Sequence, residues 1–336
     1  MGLAENRKRI LSGIQPSGAL TLGNYVGALR NWVELSKDEN YEAYFMLADM
    51  HTITVRQDPK EFRKNAMDLL ALFMASGLDP KRSPIFFQSH VPAHAMLGWV
   101  LVCNTYMGEL SRMTQYKDKA QKHAANLNAG LFTYPSLMAA DILLYQADLV
   151  PVGQDQSQHL EITRDLANRF NNAYSPTFKV PEAYIPKVGA RIMSLQDPTQ
   201  KMSKSDPNEN GYILLLDPID KIVKKIKRAV TDSGSEIRRG EGKEGIENLM
   251  SIYSAVTNKS MDNIEAEFEG MGYGDFKSAV AEAVVETVRP IQERYAELIK
   301  NKDYLKQVYK SGAETAGRTA MKTVSKVYRK IGFIEP

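Results

Sequence analysis

The sequence predicts a doubly wound α/β domain built on a parallel sheet, followed by a domain made of helices. Three observations lead there. Short apolar runs alternate with longer amphipathic stretches through the first half, the pattern of buried strands covered by helices on both faces. A Gly- and Pro-rich turn, Gln15-Pro16-Ser17-Gly18, follows the first strand and opens the first helix. Beyond about residue 206 helical periodicity continues with little strand between. The 336 residues suit two domains of the usual ~100–200 residues.

Taken in order, Arg9–Ile14 reads as the first strand. Asn24–Ser36 places Val26, Leu29, Trp32 and Val33 at helical spacing, and Tyr41–Ala48 is a second strand-like run. Asp58 and Glu61 have the spacing of a capping box around Pro59, and the helix they open stops at Gly77. Ser83–Ser89 and Leu149–Val152 are the next strands. In the second half Asp217–Val230, Gly245–Thr257, Met261–Glu269, Asp275–Lys300 and Asp303–Ile331 read as helices.

Composition excludes several classes. With 43 basic against 40 acidic residues the formal charge is +3, so a nucleic-acid contact must come from local patches. Two such patches exist: Lys221, Lys224, Lys225, Lys227 and Arg228, and the stripe Arg318, Lys322, Lys326, Lys330 at four-residue spacing. Each reads equally as a solvated helix face. The single Cys103 argues against a disulfide framework, a four-thiolate zinc site and an iron–sulfur cluster. The longest apolar run, Leu69–Ala75, is far short of the ~20 residues of a membrane span. The expectation is a cytoplasmic protein without membrane association.

Two segments carry chemistry. Gly13–Gly18 with Thr21-Leu22-Gly23-Asn24 lies where a doubly wound sheet binds nucleotides, at exposed amides and a helix start. It reads also as an ordinary turn. Lys201-Met202-Ser203-Lys204-Ser205 puts two compact charges and two hydroxyls in five residues, suited to polyphosphate. Asp141 stands in the otherwise apolar Met138–Tyr145. A carboxylate there is costly unless partnered, whether by a cap, by an ion pair or by a substrate N–H. His90 and His94, four apart, make a poor metal pair without a third ligand and are given surface or packing roles; His51 and His159 receive no acid–base role.

Lys201–Ser205 is the complete signature pentapeptide of the class I aminoacyl-tRNA synthetases. Thr21–Asn24 resembles the variant second signature of the tryptophanyl-tRNA synthetases, bacterial type. Asp49-Met50-His51, Gly108–Lys119, Tyr134–Tyr145, Val150–Gln156 and Gly189–Ser205 agree, so the resemblance runs from Arg9 to Ile334.

The resemblance implies a Rossmann-like catalytic domain over residues 1–206, binding ATP and tryptophan. It implies a helical anticodon-binding region over 207–336 whose last helix packs back on the catalytic domain. It assigns Lys201, Lys204, Thr21 and Asn24 to catalysis. ATP contacts would come from Gln15, Pro16, Ser17, Gly23, Asn24, Gly153, Gln154, Asp155, Ile192 and Lys201, Met202, Ser203, Lys204, Ser205. Gln115, Lys117 and Lys119 would approach the triphosphate. Asp141 would receive the indole nitrogen, Met138 would pack on the ring, Tyr134 and Gln156 would hold the amino group, and Gln15 would sit where the substrates meet. Mg²⁺ accompanies ATP, no protein metal site is implied, and the partners are L-tryptophan, tRNA(Trp) and a second copy in a homodimer. Two departures are visible: Gln154 where relatives commonly have Glu, and Leu22 for Ile.

The rivals are tyrosine activation and a non-catalytic RNA-binding paralogue. Leu11 stands where tyrosine enzymes place a Tyr before the glycine, and Asn24 replaces a second His. Retention of Lys201, Lys204 and Asp141 argues against loss of catalysis.

Overall fold

The computed structural model describes residues 7–114, 116, 127–151, 153, 156–184 and 191–334. Within them a five-stranded parallel sheet runs in the order β3-β2-β1-β4-β5, with β1 Lys8–Ile14, β2 Tyr41–Leu47, β3 Ile85–Phe87, β4 Leu149–Pro151 and β5 Glu182–Tyr184. The chain order reverses between β1 and β4, so the carboxyl ends of those strands form the switch-point crevice where doubly wound sheets bind ligands. The edge strand β5 is short and largely exposed, and its Glu-Ala-Tyr carries no alternating apolar signal; the sequence reading passes over it.

Alternation along the strands divides the core in two. Ile10, Ala43, Phe45 and Leu47 face one side, with Trp32 stacked on Phe45 at 5.4 Å between centroids. Leu11, Tyr44, Met46 and Phe86 face the other. Both sides are covered by helices, which is why the strands are apolar on both faces.

The first helical stretch is α1 Leu22–Asn24 and α2 Arg30–Lys37, joined by a π-helical turn, Tyr25–Leu29. After β2 comes α3 Asp49–Thr52, then α4 Pro59–Ala75. Asp58 caps α4 by accepting from the Lys60 and Glu61 amides, both at 2.9 Å, and Gly77 ends the run at φ +112°. Helices α5 Ala93–Cys103, α6 Met107–Arg112, α7 Ala129–Leu144 and α8 Ser157–Ala173 complete the first half.

The second half is α9 Ile219–Lys227, α10 Glu244–Thr257, α11 Met261–Glu267, α12 Tyr273–Leu298 and α13 Lys302–Ile331. The apolar faces of α9 to α12 join the core on the α4 side of the sheet. Helix α13 crosses to the opposite side, where Ala316, Ala320, Val324 and Val327 are buried. Gly312 lets that helix press against the Ile85 carbonyl, a place where a Cβ would collide with strand backbone.

The basic Lys221–Arg228 cluster does not present all five of its charges to solvent. Lys225 is buried, with its ammonium 2.7 Å from Asp217 and 2.7 Å from the Tyr212 carbonyl. Lys221 pairs with Glu209 and Lys224 with Asp220. An amphipathic helix uses its charges according to which face packs, and a count of lysines does not distinguish the faces. In α13, by contrast, Arg318, Lys322 and Lys326 are exposed, while Lys330 donates to the Pro176 carbonyl at 2.6 Å.

Candidate active site

The turn after β1 and the Lys201–Ser205 loop meet. Gly18 adopts φ +123°, a conformation glycine tolerates without strain, and a Cβ there would stand 3.2 Å from the Lys204 ammonium. Lys204 Nζ donates to the Ser17 carbonyl at 2.7 Å and to its hydroxyl at 3.1 Å. Desolvation of that ammonium lowers its pKa below the ordinary 10.5, although the residue as a whole is exposed.

The loop is held from below. Met193 and Lys201 form an antiparallel bridge, and Met202 N–H donates to the Ile192 carbonyl at 3.0 Å. Asn248 of α10 clamps the turn, accepting from Met193 N–H at 2.9 Å and donating to its carbonyl at 3.0 Å. Met202 is buried, and a Cβ on Gly23 would touch Met202 and Ile192, both at 3.7 Å. Ser203 and Ser205 share a hydrogen bond at 2.8 Å.

Thr21 and Asn24 lock the helix start. The Thr21 hydroxyl accepts from the Asn24 amide at 3.2 Å, and Asn24 Oδ1 accepts from Thr21 N–H at 3.0 Å. Thr21 is buried while Asn24 is exposed, and the committed Oδ1 leaves the Asn24 side-chain nitrogen as its group for a ligand. Backbone pairing of Leu22 N–H with the Ile213 carbonyl, and of Leu215 N–H with the Leu20 carbonyl, ties this start to the segment following the lysine loop.

Asp141 lies on α7, buried to 2 % exposure. Its Oδ2 accepts from His51 Nε2 at 2.7 Å; its Oδ1 accepts from Gln88 Nε2 at 2.7 Å and from His94 Nδ1 at 2.6 Å. Burial is the largest influence on this carboxyl and acts upward. The imidazoles of His51 and His94, by charge and hydrogen bond, outweigh it and hold the pKa below the ordinary 3.8. His94 Nε2 meets the Tyr145 hydroxyl at 2.9 Å.

The donors come from α3, from the turn after β3 and from α5, all at the carboxyl end of the sheet. The packing role given to His94 therefore holds only in part, because it packs by hydrogen-bonding the candidate specificity carboxylate. His51 and Gln88 were missed as well. The available signal was local: each polar residue sits just beyond an apolar strand or within the apolar α5.

Tyr134, also on α7, is buried with its ring edge-on to His51 at 6.2 Å and its hydroxyl 2.8 Å from His159 Nε2. Met138 packs against the same core, Pro16 is buried, and Gln15 is half-buried. Gly153 is exposed after β4, and its carbonyl accepts from Gln156 N–H at 2.9 Å. Gln115, Lys117, Lys119, Gln154 and Asp155 lie outside the described residues.

The family model for class I tRNA synthetases (W and Y) matches residues 3–289. The chain belongs to that family. A tryptophan–tRNA ligase of Clostridium tetani is 55 % identical over 334 residues, covering 99 % of this chain and 98 % of the relative. Among solved structures of the family, the tryptophanyl-tRNA synthetase of Mycoplasma pneumoniae superposes with a TM-score of 0.90 at 38 % identity, covering 98 % of each chain. That of Campylobacter jejuni, complexed with ADP and tryptophan, gives 0.82 at 35 % identity, covering 97 % of this chain and 100 % of the other. The class I fold and the helical second half agree with the sequence reading.

Proposed function

We propose that this class I ligase joins tryptophan to tRNA(Trp). In the first step a tryptophan carboxylate oxygen attacks the α-phosphorus of ATP. The bond to the bridging oxygen breaks, and pyrophosphate leaves with its electron pair. In the second, a hydroxyl of the terminal tRNA ribose attacks the acyl carbon and AMP departs. Both reactants arrive activated, so alignment and charge stabilisation carry the catalysis and no protein nucleophile is needed.

The carrying observation is the meeting of Lys204 with Ser17 beside the switch point, 2.7 Å from the backbone of the nucleotide turn. A cation held there suits the charge that grows on leaving pyrophosphate. In this reading Lys201 and Lys204 act on the phosphates, and the Gln15–Ser17 turn, Gly23, Asn24, Gly153 and Ile192 cradle ATP, with Thr21 holding the turn in shape. Asp141 accepts the indole N–H, Met138 packs on the ring, and Tyr134 and Gln156 address the amino group. Among the described residues no cluster of three or more His, Cys, Asp or Glu gathers to hold a metal. Mg²⁺ would accompany ATP, with phosphate oxygens as its main ligands, as is usual for this ion.

The second copy would cover α5 and α6, where Trp99, Tyr106 and Met107 are 68 %, 63 % and 71 % exposed. The tRNA phosphates would meet the Arg318, Lys322 and Lys326 face of α13. No helix among the described residues is long and apolar enough to cross a membrane.

Amino-acid-dependent pyrophosphate exchange tests the reading. Exchange with tryptophan and not tyrosine supports it. Exchange with tyrosine alone, or tRNA binding without any exchange, overturns it. Sedimentation of the protein and of Trp99→Asp tests the dimer, which the substitution should split.

A further inference from the structure

A carboxylate offers about four acceptor positions, two on each oxygen. On Asp141, Oδ1 takes two donors, Gln88 Nε2–H and His94 Nδ1–H, while Oδ2 takes one, His51 Nε2–H. The single remaining position belongs to Oδ2.

Both donors to Oδ1 are themselves fixed. Gln88 Oε1 accepts from Met50 N–H at 3.2 Å, which turns its amide nitrogen to the carboxylate. An ionised carboxylate has no proton to give, so His94 must carry its hydrogen on Nδ1. Its Nε2 pairs with the Tyr145 hydroxyl at 2.9 Å, which burial, helped by the charge of Asp141, holds protonated. Gln88, His94 and Tyr145 are each 0 % exposed, so water cannot substitute for these partners without opening the core.

We propose that His94 and Gln88 are positioning residues for amino-acid selection: they commit Oδ1 to the protein and leave one acceptor position, on Oδ2, for the substrate N–H. This rests on the tryptophan reading above. With Oδ1 released, the carboxylate can turn about its bond and divide its oxygens between protein and substrate. Selection for an N–H then weakens, because an aimed acceptor discriminates more than a mobile one.

The test is a ratio of kcat/KM values in pyrophosphate exchange. Its numerator is tryptophan; its denominator is 3-(benzothiophen-3-yl)alanine, which has sulfur in place of the N–H. The ratio is read within each variant, so loss of folded enzyme cancels. His94→Leu and Gln88→Met should each lower it by about tenfold or more, the worth of a hydrogen bond to a charged group. The change should appear in KM for tryptophan, with KM for ATP unmoved. His94→Asn, whose amide nitrogen replaces Nδ1, should restore most of the ratio; His94→Gln, which replaces Nε2, should not. An unchanged ratio in His94→Leu or Gln88→Met overturns the positioning role and leaves tryptophan activation standing. A parent protein without tryptophan-dependent exchange overturns both.

Discussion

Lys204 and Ser17, 187 residues apart in the chain, are joined through one ammonium that donates to both the carbonyl and the hydroxyl of the serine. The contact docks the lysine loop on the nucleotide turn. Lys204→Ala should lower the rate of pyrophosphate exchange at saturating ATP by about 10²–10³, as expected for removing one aimed charge from a developing anion. Tryptophan binding, measured by equilibrium dialysis, should change little. An unchanged exchange rate would remove Lys204 from the chemistry.

Asp217 and Lys225 form a buried ion pair beneath the segment that holds the helix start at Thr21. Asp217→Ala leaves the ammonium with the carbonyl and ring of Tyr212 and no counter-charge, and should cost about 3–5 kcal/mol in urea unfolding. Adding Lys225→Met should recover most of that loss, because an apolar chain of similar length needs no partner. If the double variant were no more stable than the single one, the loss would lie in the Leu214 amide that Asp217 also caps at 3.0 Å.

Two glycines of α13 should respond with opposite signs. Gly312 faces the Ile85 carbonyl at a distance no Cβ can share, so Gly312→Ala should destabilise by about 1–3 kcal/mol as the helix backs away. At Gly317 a Cβ would meet nothing within 4 Å, and Gly317→Ala should stabilise by about 0.5–1 kcal/mol through helix propensity. Thermal unfolding of the two variants reads both signs.

Tyr44 gives a pH dependence. Its ring is buried, and its hydroxyl donates to Glu42 at 2.8 Å with Thr319 of α13 at 3.2 Å. Burial first, then the hydrogen bond and charge of Glu42, push its pKa from 10.0 up to about 12. A raised value means that the fold favours the neutral phenol. This contribution is full below pH 10 and is lost as pH rises through about 12, amounting to about 2–3 kcal/mol. Tyr44→Phe should cost about 1 kcal/mol at neutral pH, yet lose less stability between pH 10 and 12. Equal alkaline slopes in denaturant titrations would place the titration elsewhere.

Much of the fold was legible because its signals are local. The runs Arg9–Ile14, Tyr41–Ala48, Ser83–Ser89 and Leu149–Val152 each announce a strand, and Asp58 before Pro59 announces a helix that the structure caps at both Lys60 and Glu61. The lysine loop was equally legible, since its chemistry lies in five consecutive residues. The edge strand Glu182–Tyr184 was not, because an exposed three-residue strand buries too little to leave a pattern. The burial of Lys225 within the Lys221–Arg228 cluster was illegible for a related reason: a buried lysine is spelled like a solvated one.

Sequence alone determined the parallel sheet, the helical second half, and the presence of a carboxylate that an apolar helix must partner. It did not determine the partners. His51, Gln88 and His94 stand 90, 53 and 47 residues from Asp141, and no helical or strand period connects such separations. Only the closing of the sheet brings the ends of β2, β3 and α5 onto one oxygen pair. Periodicity reports which face of an element is buried; the assignment of each lone pair is decided where the elements meet.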